Sequence, residues 1–147
     1  FEFQRELKGV LHAAPCPQDP VEAAAERPPG RNTIMQISYL RDLLEAKVLC
    51  GEDRLEEDVT TVFASDMMSD VLACPDEIQC MLTGLMNSQV IRTADMMDIG
   101  LIVFVRGKCP PTDVVEMARQ RDMVVLVTSC RMFSACGRLY AAGLGCR

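Results

Sequence analysis

The chain has 147 residues, about half of them apolar, and a formal net charge of -6, which fits one globular domain with enough apolar material for a core. The negative balance, with no basic stripe, excludes a general nucleic-acid binder, because such a protein must neutralise phosphates over a long footprint. No stretch reaches the roughly 18 to 20 apolar residues of a membrane span, and the start lacks the basic-then-apolar order of a signal peptide. A cytoplasmic protein with no membrane partner is expected.

Residues 1–34 differ in composition from the remainder. Five of the eight prolines fall there, with Pro28-Pro29-Gly30 as a breaker and no sustained periodicity beyond a short helical pattern near Glu2 to His12. This reads either as a flexible leader or as sequence upstream of a natural start at Met35. From Met35 the pattern tightens: Ile37, Leu40, Leu43 and Leu44 make one helical face, with Ser38 as the expected cap, followed by a short strand at Lys47 to Cys50. Glu52 to Asp58 is a charged turn, and Val59 to Ala64 reads as one strand. Ser65-Asp66 is expected to cap a helix from Met67 to Ala73.

The most legible stretch runs from Met81 to Lys108. Ile78 to Leu82 is a strand, and Asn87 to Asp98 carries Val90, Ile91, Ala94 and Met97 on one helical face, with Asn87 or Ser88 as cap. Leu101 to Val105 is apolar without alternation, which suits a central strand covered on both faces. After Pro110-Pro111, Thr112 to Arg121 forms a helix with Val114, Val115 and Ala118 inward, since proline at a helix start lacks no needed donor. Met123 to Val127 is the last strand. Arg131 to Ala142 is the last helix, with Met132, Phe133, Cys136, Leu139 and Tyr140 expected to face the core and Gly143 to close it. The alternation predicts a three-layer α/β sandwich around a mainly parallel sheet of about five strands over residues 35–144, with 145–147 as a tail.

The eight cysteines include no CxxC pair and only one histidine accompanies them, so reduced packing thiols are expected, with no metal and no cofactor. P-loop, GxGxxG, GxSxG and HExxH motifs are missing. Asp66 and Asp70 stand at helical spacing, read as one cap and one solvated carboxylate. The ten methionines are mainly core filler, although Met67-Met68 and Met96-Met97 each turn one member outward.

In a parallel sheet, ligands bind outside the carboxyl ends of the strands, where helix N-termini gather. Four turns should share that edge: Ser65-Asp66-Met67, Thr83-Gly84 through Asn87, Arg106-Gly107-Lys108 and Thr128 to Arg131. Hydroxyls, amides and cations there suit an anion. The candidate ligand-binding residues are Ser65, Asp66, Thr83, Gly84, Asn87, Arg92, Arg106, Gly107, Lys108 and Thr128, with no catalytic residue among them; each is equally an ordinary turn or cap residue when taken singly.

Five ordered blocks carry a family resemblance: Lys47 to Asp53, Ala64 to Ala73, Leu82 to Leu85, Gln89 to Ala94 and Ile102 to Lys108. Together they resemble a stand-alone DRTGG domain, similar to the N-terminal domain of HPr kinase/phosphorylase and of the type found beside iron-only hydrogenase genes. The resemblance implies the corresponding α/β fold and a regulatory role in anaerobic redox or carbon metabolism. A serine kinase label does not follow, since no P-loop is present, and the eponymous Thr-Gly-Gly is replaced by Arg106-Gly107-Lys108.

The leading expectation is a non-enzymatic regulatory or ligand-sensing module that binds an anionic small molecule or a partner protein. Two other classes compete with it: an accessory enzyme or cluster-handling factor acting on a phosphorylated metabolite, and a structural interaction subunit. A homodimer is also expected, because a small domain with surplus methionines has reason to pair with itself or a partner.

Overall fold

The computed structural model describes residues 33–145, so all but the last two residues of the leader lie outside the described residues, as do Cys146 and Arg147. The chain begins with β1 (Met35–Gln36), α1 (Ile37–Leu43) and β2 (Lys47–Cys50), then a single 3-10 turn at Glu52–Arg54. Next come β3 (Asp58–Val59), β4 (Val62–Ala64), α2 (Met68–Ala73), β5 (Cys80–Thr83) and α3 (Ser88–Met96). The remainder is β6 (Leu101–Phe104), α4 (Thr112–Arg119), β7 (Val124–Val127) and α5 (Met132–Ala141).

The main sheet has five strands in the order β2-β7-β6-β5-β4, with β4 to β7 parallel and β2 antiparallel to β7. The apolar run 101–105 thus supplies the central strand. Because β4 to β7 are neighbours in chain order, right-handed crossovers carry α2, α3 and α4 to one face. Their Val71, Val90, Ile91, Ala94, Val114 and Ala118 pack there against Met81, Ile102, Phe104 and Val125. The other face of the sheet presents Cys80, Leu82, Leu101, Val103 and Leu126 to α1 and α5. Both faces of β5, β6 and β7 are therefore buried, and each fully buried large apolar side chain is worth about 1.5 to 3 kcal/mol relative to exposure.

The first helix departs from expectation at its start. Met35, where the ordered pattern begins, lies in a short strand not expected from the sequence, β1, paired with Val59 of β3. Ser38 is not the cap. Gln36 holds that position without a side-chain bond, and the amides of Ile37 and Ser38 donate to the carbonyls of Glu57 (3.0 Å) and Leu55 (2.8 Å). Main-chain carbonyls from the 55–57 segment do what a serine hydroxyl would otherwise do.

The expected strand 59–64 is two strands in two sheets. Asp58–Val59 pairs with β1 in a two-stranded sheet, while Val62–Ala64 forms the edge of the main sheet. Gln79 holds the crossing point: its side-chain oxygen accepts from the Thr60 amide (2.7 Å) and hydroxyl (3.0 Å), and its amide donates to the Thr61 hydroxyl (3.1 Å). A polar clamp of this kind leaves no mark on hydrophobic periodicity.

The last helix is turned from its expected orientation. Ala135 and Leu139 are buried, with Met132 and Cys136 flanking them, whereas Phe133 is 90% and Tyr140 is 63% exposed. A small residue at 135 lets the helix axis approach the sheet, and two aromatic rings on that face would hold it off. No two of the described cysteines form a disulfide. Burial pushes the thiols of Cys50 and Cys80 up, so both remain neutral packing groups. Among the described residues no helix is long and apolar enough to cross a membrane.

Candidate functional site

The carboxyl ends of the four parallel strands open on one edge. Each ladder continues one residue past its strand: Ser65 donates to Leu82 O (3.1 Å), Val105 to Thr83 O (3.1 Å) and Thr128 to Phe104 O (2.9 Å). The turns therefore leave the sheet in register. After β6, Arg106 and Gly107 adopt successive left-handed conformations, φ 72° and 69°. Their amides donate to Cys130 O and Thr128 O, both at 2.8 Å. A non-glycine residue in that region costs about 1 to 2 kcal/mol, so the bonds to the β7 turn hold Arg106 in a conformation it would not adopt alone.

Asp66 ties the edge together. One carboxylate oxygen accepts from the Gly84 amide (2.6 Å) and the Thr83 hydroxyl (3.3 Å), and the other accepts from the Arg106 guanidinium. The Thr83 hydroxyl in turn accepts from the Leu85 amide at 3.1 Å. The Arg106 guanidinium lies against the bare Cα of Gly84, where a Cβ would come within 2.6 Å of its Cζ and Nε. With Asp66 and Arg106 both about half exposed, solvent screens the pair, and its worth lies in linking the ends of β4, β5 and β6 rather than in stability.

Beside this network, Arg106, Ser129, Arg131, Met132 and Phe133 line a recess of about 510 Å3. Arg131 stands at the N-cap of α5, with no side-chain cap bond at that end and no carboxylate partner among the described residues. The first amides of an α-helix have no partner within the helix, and they favour negative charge. Phe133 also lines a second, largely apolar groove of about 540 Å3 between α5 and β4, whose walls include Val62, Phe63, Ile78, Leu139 and Tyr140.

The candidate residues separate into three groups. Asp66, Thr83, Gly84, Arg106 and Gly107 converge, with Ser65 beside them. Ser65 and Asp66 do not cap α2 as expected: the Ser65 hydroxyl accepts from the Met67 amide (3.0 Å), Asp66 reaches across to Gly84, and Met67 occupies the cap position. Thr128 and Asn87 are committed elsewhere. The Thr128 hydroxyl is buried, donates to Leu44 O at 2.6 Å and accepts from the Cys130 amide, while Asn87 caps α3 by accepting from the Gln89 amide at 3.1 Å. Arg92 and Lys108 are exposed, and no hydrogen bond among the described residues joins them to the network. Ser129, Arg131 and Phe133 are not among the candidate residues expected from the sequence. The first two stood in a turn already singled out; Phe133 gave no signal, because an apolar residue on a helix is ordinarily assigned inward.

The mostly parallel five-stranded sheet between two helical layers is an α/β sandwich whose fold is like that of a solved DRTGG-containing region. It is similar to the CBS and DRTGG domains of the regulatory region of Clostridium perfringens pyrophosphatase, solved in complex with the activator diadenosine tetraphosphate. The TM-score is 0.57 at 20% identity, and the match covers 71% of this chain but 45% of that one. No protein-family model matches the sequence, and no curated protein matches it. The likeness is therefore one of fold.

Proposed function

We propose that the chain is a non-enzymatic regulatory module that senses an anionic small molecule at the carboxyl edge of its sheet. The observation that carries this reading is the recess where Arg106 and Arg131 stand with the Ser129 hydroxyl at an uncapped helix start. Two guanidiniums, one hydroxyl and free amides are the chemistry that takes a phosphate or carboxylate. The Asp66 link gives such binding a consequence, because an anion that draws Arg106 away loosens the tie between the ends of β4, β5 and β6. The regulatory setting of the pyrophosphatase domains, with their nucleotide activator, supports a sensing role over a catalytic one. A setting in anaerobic redox or carbon metabolism rests on the sequence resemblance.

Calorimetric titration with inorganic phosphate, comparing the native chain with Arg131→Ala and Arg106→Ala, tests the reading. Binding weakened by either substitution, at unchanged melting temperature, is expected. Phosphate affinity indifferent to both substitutions would overturn it, and turnover of a phosphorylated compound would favour the accessory-enzyme alternative.

A further inference from the structure

From the outward face of α5, we infer that the protein pairs with a second copy of itself through this helix, the two helices lying antiparallel about a two-fold axis at Gly137. The pairing needs no ligand and so goes beyond the anion reading above. A helix at the surface of a domain buries one face and turns charged residues to water on the other. The helices α3 and α4 follow that rule, with Arg92 and Asp95 exposed on the first and Asp113, Glu116 and Arg119 on the second. In α5, Ala135 and Leu139 face the sheet. The 3.6-residue period places Phe133, Ser134, Gly137, Tyr140 and Ala141 on the opposite side, and all five are exposed. None of them carries a charge. Arg138, at the border of this stripe, is held sideways by Glu45 Oε1 and Leu43 O, both at 3.2 Å.

Glycine inside a helix is unfavourable relative to alanine, yet a Cβ at Gly137 would meet nothing within 4 Å. Nothing in the chain itself requires that position to be bare; a second surface pressed against it would. The order of residues along the stripe identifies that surface as another α5. When two copies run antiparallel with Gly137 facing its counterpart, each position opposes the one equally far beyond the glycine. Phe133 then meets the partner's Ala141, and Tyr140 meets the partner's Ser134. Each ring falls on a small side chain, which is the self-complementarity a two-fold interface demands. A foreign partner would account for the apolar face but not for this large-to-small order. Phe133 and Tyr140 are 90% and 63% exposed. With roughly 150 to 250 Å2 for a buried aromatic side chain, the two rings offer on the order of 300 Å2 per copy, over a third of the roughly 800 Å2 per partner in a standard interface. Phe133, Gly137 and Tyr140 also wall the groove that reaches Val62 and Phe63 of the edge strand β4, so the apolar surface continues past the helix. An interface at this end of the size range fits a reversible dimer rather than a permanent one.

The test is sedimentation velocity of the full chain from about 1 to 200 µM, the range in which a small reversible interface should assemble. The average mass is expected to rise with concentration toward twice that of the chain. Phe133→Ser, Gly137→Leu and Ala141→Lys, each at an exposed position clear of the core, should weaken the dimer about tenfold or more while the proteins still melt cooperatively. Met96→Ser, at a position 74% exposed on α3, should leave it unchanged. Gly137→Leu separates the two ways in which an apolar face can associate. It adds apolar surface, so non-specific association would tighten, whereas two helices in contact at Gly137 would be wedged apart. A native chain that stays monomeric across the range overturns the inference. So does a dimer undisturbed by those of the three α5 variants that fold, one tightened by Gly137→Leu, or one lost equally in Met96→Ser. Each of these outcomes leaves the anion site to its own titration with phosphate.

Discussion

Asp66 and Arg106, forty residues apart in the chain, meet over Gly84, with the Asp66 carboxylate accepting from the Gly84 amide at 2.6 Å as well as from the guanidinium. The carboxylate takes up the same amide, hydroxyl and guanidinium donors that an external anion would use, and it neutralises the charge of Arg106. It acts as an internal competitor for the site. Asp66→Asn keeps an oxygen for the Gly84 amide but removes the charge, so the affinity for inorganic phosphate should rise several-fold in calorimetry. Stability should hardly change, because the lost charge-assisted bond is half exposed and screened by solvent. Reduced phosphate affinity would show instead that the carboxylate helps to hold Arg106 in place for the ligand.

Thr128 gives the opposite expectation. Its hydroxyl is buried against Leu44 O, tying the end of β7 to the end of α1 across 84 positions of sequence. Thr128→Val keeps the shape and removes the donor, leaving a buried carbonyl without its strong partner. A loss of about 1 to 3 kcal/mol in urea denaturation is expected, with phosphate affinity unchanged. A substitution that weakened binding without lowering stability would return Thr128 to the site.

Gly51 follows β2 with φ 85°, and a Cβ there would come within 2.8 Å of Val124 Cα and 3.1 Å of Met123 O. Both obstacles are backbone, so the strand itself would have to shift. Gly51→Ala combines this clash with left-handed strain and should cost about 1 to 3 kcal/mol in thermal or urea unfolding. Gly84→Ala makes a useful contrast, since the atoms nearest its Cβ are those of the half-exposed Arg106 guanidinium, the far end of a flexible side chain. That protein should fold normally but lose the Asp66–Arg106 link, seen as an altered response to phosphate.

The pair Arg54–Glu57 predicts an acid-dependent effect. Arg54 donates to both carboxylate oxygens at 2.7 Å, and this bond holds the Glu57 carboxyl below its ordinary value of 4.5. A lowered folded-state value means that the unfolded chain binds the proton more readily, so the stabilisation is present above that ordinary value and lost as pH falls through the lowered one. Because the Glu57 side chain is half exposed, the effect should stay under about 1 kcal/mol after screening. Urea denaturation should find Glu57→Gln less stable than the native chain at neutral pH, with the difference closing as pH falls through the lowered Glu57 value; a difference that persisted in acid, below the point where the carboxylate is protonated, would point to lost packing rather than charge.

Residue order alone marked the helices and the strands of the main sheet, though not the β1–β3 pair. The unbroken apolar run at 101–105 could be satisfied only by cover on both faces, which is why it foretold the centre of the sheet. The alternation of strand and helix from β4 to β7 set the parallel order, because right-handed crossovers leave few other solutions. The shared edge for four turns followed from that order. Which polar groups at the edge remain open to a ligand did not follow. A threonine after a strand reads the same whether its hydroxyl faces solvent or, as at Thr128, a carbonyl 84 residues away. An aspartate before a helix reads as a cap even where, as at Asp66, it reaches sideways to the next strand. Phe133 was the reverse case: its apolarity pointed inward, but Ala135 and Leu139 took the sheet-facing stripe and left the ring outside. Hydrophobic periodicity is local and repeats every few residues, so the sequence displays it. The pairing of single polar groups, and the rotation that selects one helical stripe over another, are settled by contacts between segments distant in the chain, and only the folded structure decides them.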